Sequence, residues 1–171
     1  MSSLENCPKV NETKEEIISR LKKIGVELVD ISKLKPHEEV SEEDQESLKN
    51  LLLNDDKCIL KYPIVCEKKY KIILDGHNRY NIFKKLKLKK IPVYFVDYFD
   101  ERIVVGSWRE GVKVTKEEVI GIAKKGKCFP PKTTKHMYLC KSENEDAKLV
   151  RIVEILPRID VSLKILANDG L

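Results

Sequence analysis

The sequence predicts an α+β protein, and three observations carry that reading. Helix signals recur along the chain: Thr13 with Glu16 and Thr115 with Glu118 have capping-box spacing, and Ser41 with Asp44 opens a third helix. Short apolar runs of strand character lie between them, at 63–66, 70–74 and 91–97. In the stretch 71–86, the run Ile72-Ile73-Leu74 meets a turn at Asp75-Gly76 and continues as an amphipathic basic helix.

Taken in order, the first helix places Ile17, Ile18, Leu21 and Ile24 at helical intervals and stops at Gly25. Residues 26–31 follow as a strand of mixed burial. Pro36 biases Lys35 away from helix, so the loop 34–39 presents His37, Glu38 and Glu39 on irregular backbone, where catalytic side chains are often found. The second helix buries Leu48, Leu51 and Leu52 and ends at Asn54-Asp55-Asp56. The turn Glu67-Lys68-Lys69 joins two strands into an antiparallel hairpin that delivers the chain to Asp75. The helix from His77 to about Leu86 turns Ile82, Phe83 and Leu86 inward, and the lysines at 84, 85, 87, 89 and 90 form a solvated face. The most strand-like run is 91–97, with Pro92 at its start, where a missing N–H does least harm. A short strand at 103–105 leads to Gly106-Ser107-Trp108, and a helix from Thr115 ends at Gly126. Residues 142–146 read as a polar loop, 149–156 as a last strand and 160–166 as a closing helix.

Whole-chain quantities bound the function. At 171 residues, with 42% hydrophobic and 36% charged, the chain is long enough for a real core and too apolar to be disordered. A net charge of +5 favours phosphate-bearing ligands, but 33 basic residues interspersed with 28 acidic ones do not form a DNA-binding tail. Five scattered cysteines with no C-x-x-C pair suggest neither a disulfide framework nor a zinc site. No apolar run approaches the roughly 20 residues that span a bilayer, and the N-terminus lacks a signal-peptide core, so the expected location is cytoplasmic. The abundance of Lys, Glu and Ile is of the kind found in proteins from hot environments.

Two stretches carry chemistry. The first N–H groups of the helix after Gly76 have no partner within that helix and carry its positive dipole end, so the turn suits a phosphate or carboxylate. Arg79, one turn in, could add a bidentate contact. The alternative is an ordinary strand-to-helix turn with polar residues facing water. The second stretch is 129–136, where two prolines stiffen a loop bearing Lys132, Thr133, Thr134, Lys135 and His136, a run of donors that suits a polyphosphate or else a solvated basic loop. The residues alone favour Trp108 as a core plug.

Leu34-Lys-Pro-His-Glu, Ile73-Leu-Asp-Gly-His-Asn-Arg-Tyr, Val96-Asp-Tyr and Pro130-Pro-Lys-Thr-Thr-Lys-His together resemble the ParB/sulfiredoxin-like superfamily, and specifically its archaeal free L-serine kinases. The D-G-H-x-R element is shared across that superfamily; its combination with K-P-H-E and P-K-T-T-K-H is specific to the kinase branch. The resemblance implies a ParB/sulfiredoxin-like mixed sheet flanked by helices, in a compact form without the inserted lobe of some relatives. It also implies one kinase domain over 1–171, with a helical extension at 1–25, a catalytic core at 26–140 and a strand and helix at 141–171. The implied activity is phosphorylation of free L-serine to O-phospho-L-serine with ADP or ATP and Mg²⁺, feeding phosphoserine and cysteine metabolism. Glu38 is the implied general base, since a serine hydroxyl is a poor nucleophile at neutral pH. Asp75 and His77 join it as catalytic residues, with Asp75 near Mg²⁺ through the nucleotide phosphates. Gly76, His77, Asn78, Arg79 and Lys132 to His136 map to the phosphates; His37, Glu38, Trp108, Thr134 and His136 map to the serine, which reverses the structural reading of Trp108. Asn78 stands where relatives often have a second histidine, and Asn cannot become a cation.

Two other readings stay in view. A ParB-like nucleotide-dependent DNA-binding or regulatory protein would normally carry a helix-turn-helix unit after the nucleotide domain, and some 35 residues after His136 show none. A sulfiredoxin needs a cysteine in a G-C-H-R arrangement, where this chain has His77. The expected partners are L-serine and an adenine nucleotide, without nucleic acid or membrane, in a monomer or small homo-oligomer.

Overall fold

A computed structural model of the chain describes residues 11–54, 58–141, 143 and 146–167, apart from the side chains of Leu51 and Asn54. Cys7, the Asp55-Asp56 helix stop, the Leu51 side chain and most of the 142–146 loop lie outside the described residues. Helix α1, Lys14–Lys23, begins where the Thr13 hydroxyl accepts the Glu16 N–H at 3.2 Å. Of its four expected core residues, Ile17 and Leu21 are buried whereas Ile18 and Ile24 are exposed, because one helix stripe faces the sheet.

The central sheet is mixed. Strands β1 (Val26–Asp30), β3 (Ile64–Glu67), β4 (Ile73–Asp75) and β5 (Lys90–Val96) lie in the order β1-β5-β3-β4. The hairpin pairs β3 with β4 antiparallel, and helix α3 (His77–Lys85) carries the chain across to β5, which is parallel to β3 and antiparallel to β1. Alternate residues of the hairpin, 64–66 and 72–74, enter two different cores, which is why both arms read as unbroken apolar runs. Ile64, Cys66 and Ile73 join the core built with α1, α3 and the C-terminal Ile159, Val161, Leu163 and Leu166. Val65, Ile72 and Leu74 join the core built with Tyr98, Ile103, Ile152, Leu156 and helix α4, Lys116–Lys124, whose Thr115–Glu118 capping box is formed. Helix α1 and residues 159–166 thus complete the first core.

Several elements differ from expectation. Ile31 leaves β1 for a 3-10 turn, Ile31–Lys33, because Asp30 caps the Ser32 N–H at 2.9 Å. Helix α2, Glu42–Asn54, has the expected start, with the Ser41 hydroxyl accepting the Asp44 N–H. The donor loop ends early: Lys135 and His136 open strand β7, Lys135–Cys140, which pairs with β6 (Ile103–Gly106) and β8 (Lys148–Arg151) in an antiparallel sheet. The expected strand 149–156 divides into β8 and a 3-10 turn, Ile152–Ile155, that turns Ile152 into the second core. A two-residue strand β2, Ile59–Leu60, pairs with β9, Val161–Ser162, so the closing helix α5 is only Leu163–Ala167. Such short strands leave no periodicity to read. Cys58 is disulfide-bonded, which the scattered cysteine spacing did not suggest. Among the described residues no helix is long and apolar enough to cross a membrane.

Gly76 is the position the strand-to-helix transition depends on. It has φ +111°, and a Cβ there would lie 2.9 Å from Arg79 Nη2 and 3.0 Å from Ile64 Cγ1. Gly76→Ala is expected to cost about 1–3 kcal/mol from backbone strain and displacement of Arg79; urea unfolding of the two proteins measures it.

Candidate active site

The loop 34–39 is irregular in sequence but pinned as an extended segment. Lys35 donates its N–H to the Lys71 carbonyl and accepts the Ile73 N–H, both at 2.9 Å, and so borders β4. Two residues on, the His37 carbonyl accepts the Phe129 N–H at 2.8 Å, and the Glu39 N–H donates to the Phe129 carbonyl at 2.8 Å. Glu38 therefore projects from a backbone held on both sides. Pro36 sits between the two sets of bonds, where no donor is needed.

The three histidines of the chain meet here. His37, fully buried, lies with its ring centroid 4.4 Å from that of His77 and 5.7 Å from that of His136. The hydrogen bonds fix two tautomers. His37 Nδ1 lies 2.7 Å from the Ile73 carbonyl, which only accepts, so Nδ1 carries the hydrogen. His77 Nε2 accepts the His37 backbone N–H at 3.1 Å, so in the neutral ring the hydrogen is on Nδ1. His136 Nε2 and the Tyr98 hydroxyl are 2.7 Å apart. Burial drives the His37 pKa down to about 4 and that of His136 to about 3, and holds His77 well below the ordinary value; neighbouring histidines add to the effect at His77 and His136. All three are neutral imidazoles at pH 7.

Glu38 Oε1 accepts the Thr134 N–H at 2.7 Å and stands 2.9 Å from the Thr134 hydroxyl, which is itself 2.8 Å from His37 Nε2. Burial raises the Glu38 pKa, and the bonds from Thr134 and the Lys132 and Thr133 N–H groups oppose that rise.

Glu38, Asp75, Gly76, His77, Asn78, Arg79, Trp108, Lys132, Thr134, Lys135 and His136 all line one cavity of about 1070 Å³. Among the sequence-derived site residues, His37 and Thr133 stand behind its wall. The Thr133 hydroxyl is bonded to the Pro130 carbonyl at 2.6 Å and the buried His136 meets the Tyr98 hydroxyl, so of the five expected donors the side chains left to the cavity are Lys132, 3.8 Å from Asp44 Oδ2, and Lys135. Arg79 is likewise occupied. Its Nη1 donates to the Tyr62 and Pro63 carbonyls at 2.7 and 3.2 Å, and Nη2 meets Asp75 at 3.4 Å, so it braces the wall instead of gripping an anion with both arms. Trp108 is half-exposed, with Lys135 Nζ 4.2 Å from its ring, and plugs no core. Sequence reasoning missed Arg151 of β8 and the apolar half of the cavity at Leu48, Leu52, Ile59, Leu60 and Tyr62. Leu48 and Leu52 had the helical spacing of a core face, and nothing local marks Arg151.

Searched against protein-family models, the chain matches none. It is 36% identical over 84 residues to a protein of Staphylothermus marinus named ATP-dependent L-serine kinase, an alignment spanning 47% of this chain and 33% of that protein. It is 29% identical over 107 residues to the ADP-dependent L-serine kinase SerK of Thermococcus kodakarensis, spanning 61% and 44%. A ParB-like protein of Sulfolobus acidocaldarius is 35% identical over 83 residues, spanning 48% and 40%. The chain thus spans a third to under half the length of these relatives. Its fold is that of a free serine kinase solved, as a glutamate-to-alanine variant, with ADP: TM-score 0.58, 18% identity, covering 87% of this chain and 98% of that one. It is also that of C-terminally truncated SbnI from Staphylococcus aureus, with TM-score 0.64, 14% identity and coverage of 86% and 91%. The chain therefore has the α+β fold shared by serine kinase and SbnI structures, and its sequence relatives include archaeal proteins named L-serine kinases.

The buried imidazoles set a pH dependence. Unfolded histidines protonate near pH 6.5, whereas His37 and His136 stay neutral to about pH 4 and 3 in the fold. The unfolded chain thus binds more protons, and stability should fall as pH drops from about 6.5 towards 4. Glu38, with its raised pKa, acts with the opposite sign: its ionisation costs stability as pH rises. Glu38→Gln should be more stable than the parent at pH 7, with the advantage shrinking as pH falls towards the ordinary carboxylate range. Urea unfolding across pH 4–7 checks both.

Proposed function

We propose that this chain transfers the terminal phosphoryl group of ADP or ATP to the hydroxyl of free L-serine, forming O-phospho-L-serine. The observation that carries the reading is Glu38: a half-buried carboxylate on pinned backbone, facing the same cavity as the uncapped N-terminus of α3. The names of the archaeal relatives support it, although the chain spans only part of their length.

The cavity divides by chemistry. Leu48, Leu52, Ile59, Leu60 and Tyr62 offer an apolar surface for the adenine. The N–H groups beginning α3 after Gly76, together with Lys132, Asn78 and His77, face the phosphates. Among the described residues no group of three or more His, Cys, Asp or Glu side chains could hold a metal, so Mg²⁺ would arrive on the nucleotide and meet Asp75 as the protein's carboxylate. When bound, the ion supplies neutralisation of charge on the phosphate oxygens. Trp108, Lys135 and Arg151 place an aromatic face and two cations beside Glu38's cavity, suited to the carboxylate of a free amino acid. Glu38 accepts the serine proton as the oxygen attacks, and positioning with charge neutralisation provides most of the acceleration. The two cores share the central sheet, so we take the chain as one catalytic domain.

Incubation with Mg²⁺, L-serine and either nucleotide should yield O-phosphoserine together with AMP or ADP. Glu38→Gln should lower turnover by about 10²–10⁴-fold while nucleotide still binds. Absence of phosphoserine from both donors, with tight sequence-specific DNA binding at physiological salt, would instead establish the ParB-like reading.

A further inference from the structure

The Thr134 hydroxyl has one hydrogen and two acceptors within reach. His37 Nε2 is 2.8 Å away and Glu38 Oε1 2.9 Å. Because His37 Nδ1–H is committed to the Ile73 carbonyl at 2.7 Å, Nε2 of the neutral ring is a bare lone pair. Whichever acceptor the hydroxyl serves, the other faces an oxygen with no hydrogen between them. His37 is fully buried and has no cavity-facing surface through which water could satisfy Nε2.

We propose that His37 and Thr134 together form a positioning device for Glu38, in which rotation of a single hydroxyl hydrogen between His37 and Glu38 follows the protonation state of the base. This rests on the reading of Glu38 as general base. With Glu38 ionised, the hydrogen points to Oε1 and adds to the Thr134 N–H bond of 2.7 Å. When the acceptor hydroxyl loses its proton to the other carboxylate oxygen, Oε1 becomes a weaker acceptor and the hydrogen turns to His37 Nε2. One O–H bond breaks in the acceptor and one forms on Glu38; at Thr134 only a torsion changes. Both states of the base thus find Thr134 correctly oriented, and His37, which touches neither substrate nor nucleotide, sets how strongly the ionised state is favoured.

Other groups near Glu38 act alike on the variants compared: Asp75 from β4, His77 from α3, His136 from β7, and Cys128 and Lys132 from the 127–132 segment. The two arms of the device predict opposite shifts. Thr134→Val removes a donor to the carboxylate, so the acid limb of the kcat/KM profile should move up by about one pH unit. His37→Asn keeps an N–H for the Ile73 carbonyl, because the Asn amide nitrogen superposes on Nδ1, and deletes the competing acceptor; the limb should move down. Thr134→Ser should keep the parent limb, and in the double variant Thr134→Val/His37→Asn the His37 change should have no further effect.

The same shifts are read without turnover by titrating the ¹³C-labelled Glu38 carboxyl by NMR, with Glu38→Gln identifying its resonance, so a poorly active variant remains informative. Shifts of the same sign in the two single variants, or an additive double variant, would overturn the device. If Glu38→Gln kept near-parent turnover, the base assignment itself would fail; a dead Glu38→Gln with unmoved limbs in the other variants would refute the device alone.

Discussion

The site depends on one buried imidazole. His37 ties its own loop to two stretches far away in sequence, 73–77 and 129–134: its backbone N–H reaches His77 at the start of α3, its Nδ1 the Ile73 carbonyl in β4, its Nε2 the Thr134 hydroxyl before β7, and its carbonyl the Phe129 N–H. Every polar atom of the residue is engaged. Because a fully buried ring with so many fixed partners has no room to reorient, Glu38, the next residue, inherits a defined position. A loop of irregular sequence is thus held by bonds on both sides.

That constraint requires neutrality. Three imidazoles within about 6 Å cannot be charged together in a water-poor interior, and burial makes even one charge costly. The positive charge of the cavity accordingly comes from elsewhere: Lys61, Lys132, Lys135, Arg151 and the dipole of α3. These lie at its rim, where water can hydrate them before a phosphate arrives, while the uncharged imidazoles form its inner wall. Arg79, a half-buried cation, is balanced by Asp75 and two backbone carbonyls.

Much of this was legible in the sequence where local rules decide. The Thr13 N-cap, the Thr115 capping box, the Glu67-Lys68-Lys69 hairpin and the Gly76 transition are set by nearest neighbours, and each is in place, although at Thr13 only the hydroxyl half of the expected box is formed. The apolar runs of β3 and β4 indicated strands, but only the fold shows that their alternate residues feed two cores. Strands β2, β7 and β9 were not legible, because two residues have no period and β7 begins inside a stretch that reads as a loop of donors. The site residues were found by type and motif, while their partners were not: Thr133, Thr134 and Arg79 are all donors in sequence, yet the fold commits each of them to a protein acceptor. For Thr134 and for Arg79 Nη1 the partners lie far away in sequence, which no spacing encodes, whereas Thr133 turns to the Pro130 carbonyl three residues back.

Asn78 shows how such packing assigns a role that residue type leaves open. Gln45, almost fully buried, donates Nε2 to the Asn78 backbone carbonyl at 2.8 Å, which fixes the orientation of the Gln45 amide, and its Oε1 accepts Asn81 Nδ2 at 3.0 Å. The atom of the Asn78 side chain 2.9 Å from the same Nε2 must then be the oxygen. Its NH₂ is the end left for the cavity, so Asn78 presents a neutral donor beside the first turn of α3. A histidine here would bring a fourth imidazole next to His77 and could donate at this point only by choosing one tautomer or by taking a proton against three neutral neighbours. The amide supplies the hydrogen bond at any pH, and Gln45, which no motif marks, is what orients it.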